Sequence, residues 1–79
     1  MSTWNYRVLA TKTDEGIYLQ VHEVYYTNGV PDGYTEKPIT IESDTLKGIR
    51  WQISKIKKCL GEPILWAGDK FPQEYKEDE

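Results

Sequence analysis

Any chemistry in this chain of 79 residues has to come from very few reactive side chains, because His22 and Cys59 are its only imidazole and its only thiol. A Cys–His pair activates a thiolate when the two groups come within hydrogen-bond reach, and nothing in the spacing of positions 22 and 59 brings them together. His22 and Glu23 are neighbours in a stretch that reads as a strand, where successive side chains point to opposite faces, so they cannot cooperate directly. One imidazole and one thiol also fall short of a metal donor set. The glycines sit singly or in turns rather than in a phosphate-cradling loop. The sequence therefore assigns no catalytic residue, no metal ligand and no cofactor, and a small enzyme is the weakest of the function classes considered.

Binding chemistry is better represented. Residues 45–60, TLKGIRWQISKIKKCL, follow a helical period. At about 100° per residue Leu46, Ile49, Ile53, Ile56 and Leu60 form one apolar stripe, with Trp51 opposite its centre. Lys47 and Lys55 lie one turn either side of Trp51, and Lys58 continues the row, giving an outward stripe of one indole among ammonium groups. Three readings fit. Lysine stems, the 64–66 segment or the tail with Phe71 cover the indole; or Lys47, Trp51, Lys55 and Lys58 form a protein interface, with the indole as anchor and the lysines steering an acidic partner; or the indole stacks on a base of single-stranded nucleic acid while the lysines track phosphates. The charge distribution frames the choice. Five cations and no acid fall between Thr45 and Gly61, and against an overall −3 they leave −8 elsewhere. Net acidity disfavours nucleic acid but does not remove it, since charge acts locally.

A second candidate surface comes from residues 17–26, IYLQVHEVYY. Strand alternation puts Tyr18, Gln20, His22, Val24 and Tyr26 on one face, and Ile17, Leu19, Val21 and Tyr25 on the other, with Glu23 interrupting. The second set suits the face beneath a helix. One helix covers one side of a small sheet, so Tyr18, His22 and Tyr26 are expected on an open, tyrosine-rich face that is either solvated or the surface for a dimer or another partner.

The elements that must position these groups follow from local signals. Residues 4–11 alternate as a first strand, residues 17–26 form a second, and the intervening Thr13-Asp14-Glu15-Gly16 is a tight turn. TNGVPDG holds two turn signals and predicts a hairpin loop longer than two residues. Residues 34–41 would be the third strand, at a sheet edge because Pro38 has no amide to donate. Ser43 or Asp44 is expected to cap the helix, Gly61 to end it in the left-handed region, and Pro63 to forbid continuation. Gly48, inside the helix, costs roughly 1 kcal/mol relative to alanine. Residues 64–66, ILW, either return beside the first strand or seal the helix end. The expected fold is α+β: an antiparallel three-stranded meander, with room for a short fourth strand, packed on one C-terminal helix. Residues 1–66 make a single domain and residues 67–79 a polar, acidic, partly mobile tail.

WNYRV near the start, HEVYY in the second strand, PDGYTEKPI after the loop and GEPIL after the helix together resemble a family of small uncharacterised proteins of bacteria and their phages. The resemblance implies a compact sheet followed by one helix and carries no activity. Tyr34 stands where that family is associated with tryptophan, and the chain runs on past Leu65. A single thiol fits a reducing compartment, and the sequence shows neither a signal-peptide pattern nor the run of about 20 apolar residues that spans a bilayer, so a cytoplasmic location without membrane contact is expected. The functional expectation is a non-enzymatic interaction module that binds a protein partner or itself as a homodimer, as a regulator or phage-type inhibitor.

Overall fold

The computed structural model describes residues 2–77. Two twelve-residue strands, β1 (Ser2–Thr13) and β2 (Gly16–Thr27), pair antiparallel in unbroken register from Ser2 opposite Thr27 to Thr13 opposite Gly16. The turn is held by Thr13 Oγ1, which accepts from the Glu15 amide at 3.2 Å and donates to the Gly16 carbonyl at 3.1 Å, with Gly16 at φ 128°.

The next connection is shorter than the sequence predicts. Asn28 and Gly29 both take positive φ (52° and 81°), the conformation of a two-residue hairpin whose twist matches its strands. Strand β3 (Val30–Tyr34) begins immediately. Pro31-Asp32-Gly33 is no second turn. Tyr26 pairs with Pro31 and Tyr25 with Gly33, leaving Asp32 as the extra residue of a bulge. Thr27 Oγ1 donates to the Asp32 carboxylate. The expected strand at 34–41 is correspondingly absent; the chain there runs irregularly along β2, with the Thr35 and Ile39 amides donating to the Glu23 and Val21 carbonyls at 3.0 and 2.8 Å.

The helix, α1 (Leu46–Cys59), starts one residue later than an Asp44 cap and two later than a Ser43 cap would place it. Thr45 is its cap, its Oγ1 accepting from the Gly48 amide at 3.0 Å. Gly48 has a steric reason: a Cβ there would lie 2.0 Å from Ser43 Oγ. At the other end Gly61 does not enter the left-handed region. The Leu60, Gly61 and Glu62 amides instead bond three residues back, at 3.1–3.3 Å, and tighten the last turn.

The helix is not C-terminal. Strand β4 (Ile64–Trp66) returns beside β1 in parallel, with Leu65 opposite Leu9, and β5 (Glu74–Tyr75) adds antiparallel to β4 after a 3₁₀ turn at Gly68–Lys70. The result is an α+β fold with a mixed five-stranded sheet, order β3-β2-β1-β4-β5, in place of a simple antiparallel meander. Burial explains the return: Leu65 joins Leu9 and Val24 in the main core. Residues 67–75, assigned by sequence to the tail, supply Ala67 and Phe71 to that cluster and the strand β5. Asp78 and Glu79 of that tail lie outside the described residues.

The main core occupies the sheet face away from the helix. Tyr34 from β3 and Phe71 from the turn after β4 meet over it, ring centroids 4.8 Å apart, and the Gly68 amide donates to the Tyr34 hydroxyl at 2.7 Å. The helix lies on the other face, beside Tyr6, Val8, Val21 and Glu23. Its register differs from the expected stripe. Gln52 and Cys59 are buried and Ile49 and Ile56 half-buried, whereas Ile53 is 50% exposed and Leu46 and Leu60 more so. This is a roll of roughly 80° about the helix axis. Gln52 sets it: its Nε2 donates to the Thr40 carbonyl at 2.6 Å and its Oε1 accepts from the Glu42 amide at 3.1 Å, so the side chain that ties down the incoming chain must face inward.

A candidate interaction site on the helix flank

The roll brings Trp51 from the expected far side of the helix to the border of its packed face. There it lines a cleft of about 400 Å³ with Trp4, Tyr6, Lys55, Lys58 and Glu62, and with Cys59 at the inner wall. The two indoles remain half-exposed, Trp4 at 47% and Trp51 at 49%. Trp4 makes an edge-on contact with Tyr6, centroids 5.3 Å apart, and Lys55 Nζ stands 5.7 Å from the centre of the Trp51 ring, within range of a cation–π interaction. Burial pushes the Cys59 thiol above its ordinary pKa, and the Arg7 charge opposes that in part.

Of the helix residues singled out by sequence, Trp51, Lys55 and Lys58 meet in this cleft, while Lys47 is exposed outside its lining. Trp4, Tyr6 and Glu62 were missed. The signal for the first two was present, since strand alternation puts Trp4 and Tyr6 on one face, but joining that face to Trp51 required the helix roll.

The tyrosine-rich face is not open as expected. Tyr18 is exposed, its hydroxyl donating to Glu15 Oε2 at 3.1 Å. His22 is 3% exposed, and Tyr26 is half-buried and accepts from Arg7 Nη1 at 2.8 Å. Tyr34 and Phe71 close that face from opposite ends of the sheet. His22 Nδ1 lies 2.9 Å from the Thr35 carbonyl, which can only accept, so Nδ1 carries the hydrogen, and Nε2 is buried without a partner among the described residues. The imidazole stands on the face opposite the helix and Cys59 on the helix side, so the two do not form a catalytic pair.

Arg7 is the other unusual group. It is 7% exposed, and among the described residues both its partners are neutral, the Tyr26 hydroxyl and the Pro63 carbonyl at 2.7 Å from Nη2, and Nε has none. It lines a second cleft, of about 310 Å³, with Thr3, Trp4, Asn5, Tyr26 and Glu62. Among the described residues no three His, Cys, Asp or Glu side chains cluster as metal ligands, and no helix is long and apolar enough to cross a membrane. No protein-family model, curated protein or solved structure matches the chain.

Proposed function

We propose that the protein is a non-enzymatic interaction module that binds a protein partner through the Trp4–Trp51 cleft. The observation that carries this reading is the pair of half-exposed indoles in one concave site with lysines on its rim. Aromatic anchors in a partly desolvated cleft, surrounded by polar groups that exclude water, are the anatomy of an interface hot spot. Lys55 and Lys58 would steer an acidic partner towards it. Self-association is a variant of the same reading; with the tyrosine face filled, a homodimer would use the helix flank.

Single-stranded nucleic acid is the rival, with an indole stacking on a base. Glu62 in the cleft and the overall −3 charge weigh against it. A small enzyme is the weakest reading, because burial holds the cleft's thiol towards its protonated, non-nucleophilic form. A regulatory or phage-type inhibitory role rests on size and the segment resemblance, and a cytoplasmic location on the lone thiol. The test is capture of partner from bacterial lysate by wild-type protein and by Trp51→Ala. Loss of capture by a folded Trp51→Ala variant supports the interface. Undiminished capture, or binding to a thymidine oligonucleotide that weakens linearly with log salt, contradicts it.

A further inference from the structure

The two clefts share Trp4, Asn5 and Glu62, and so lie on the two sides of one strand edge. That edge is open. β1 pairs with β2 along its whole length, but on its other side it meets β4 only at Leu9 and Ala10. The Ala10 carbonyl accepts from Ala67 beyond β4, so the backbone groups of Ala10 point to that side, and strand alternation turns the N–H and C=O of Trp4 and Tyr6 the same way. Five residues, Ser2 to Tyr6, thus offer an unpaired template roughly 17 Å long.

Proteins ordinarily blunt such edges with proline, charge, a bulge or brevity. The outer strand β3 has Pro31 and its bulge, and β5 is two residues long. The stretch STWNY has no proline and no charge, and its register is unbroken.

Resting on the interface reading above, we infer that the partner enters as an extended acidic segment that adds a strand to the Ser2–Tyr6 edge of β1. Alternate side chains of an added strand point to opposite faces. One set would enter the Trp4–Trp51 cleft, between Lys55 and Lys58. The other would face Arg7, a permanent cation whose bonds among the described residues are to neutral groups and whose buried Nε has no partner among them. A desolvated guanidinium gains most from a carboxylate. Three cations against the single acid Glu62 set the sign of the occupant.

The test is selection of displayed random twelve-residue peptides on the full-length protein, followed by amide exchange with an enriched peptide. Enriched sequences should carry Asp or Glu, and replacing those residues by Asn or Gln should weaken binding at least roughly tenfold. Saturating peptide should slow exchange of the Trp4 and Tyr6 amides at least about tenfold, while Asn5 and Arg7, already turned towards β2, change little. Enrichment of basic or neutral peptides only, or of none, overturns the inference. Peptides that need Trp51 but leave the Trp4 and Tyr6 amides unprotected overturn it while preserving the interface reading; protection that survives Trp51→Ala does the reverse. Protection in the free protein together with twice the 9.2 kDa mass would overturn it in favour of a second copy.

Discussion

The two faces of the sheet are packed to different standards. On the face away from the helix, Leu9 and Val24 are fully buried and Leu65 nearly so, under a lid made by Tyr34 and Phe71. On the helix face Tyr6 is buried but Trp4 and Trp51 are half-exposed, and Leu60 lines a groove of about 380 Å³ with Val8, Leu19, Val21 and Ile64. A chain this short buries too little surface to pack two cores well. It places its stability in the face closed by its own β3 and C-terminal segment, and leaves apolar surface under and beside the helix. That exposed apolar surface is what the proposed interface would use.

The largest effect should come from the closed face. Leu9→Ala removes a side chain with no exposure and should lower stability by about 2–5 kcal/mol, whereas Ile53→Ala, at mid-helix but half-exposed, should lower it by less than about 1 kcal/mol. Paired denaturant melts check this, and equal losses would erase the distinction between faces. Next comes Gln52→Ala, which frees the Thr40 carbonyl and the Glu42 amide; a loss of about 1–3 kcal/mol is expected, with faster amide exchange at Glu42. Unchanged exchange there would mean that Gln52 does not set the helix roll.

Much of this contrast was beyond local sequence signals. The β1–β2 hairpin was legible because Trp4, Tyr6, Val8 and Ala10 alternate and Gly16 marks the turn, and the helix because its apolar residues and Pro63 bound it. The period located the helix but not its rotation, which hangs on Gln52 and two backbone groups ten and twelve residues earlier in the chain. His22 looked exposed because its cover, the Tyr34 ring 5.7 Å away and edge-on, comes from the end of β3. PDG has turn composition, yet Asn28-Gly29 had already reversed the chain, so it became a bulge. The candidate site was half legible: Trp51, Lys55 and Lys58 were found, and Trp4 was not joined to them.

The smallest effect concerns Cys59. Burial raises its pKa in the folded protein, so folding favours the protonated thiol. Its stabilising contribution is complete below the unfolded pKa and is lost as pH rises through the folded one. Alkylation followed against pH should therefore lag in folded protein and catch up only above the pH at which the unfolded chain reacts. Identical profiles would place Cys59 at a more open site than the closed inner wall of the cleft.

The half-exposure of Trp51 on the loosely packed face can be read from its fluorescence in a protein with Trp4→Phe and Trp66→Phe. In the free protein the emission maximum should lie towards that of indole in water, with ready quenching by acrylamide. A strongly blue-shifted emission protected from acrylamide would mean that Trp51 is already covered by its own chain and is not open to a partner.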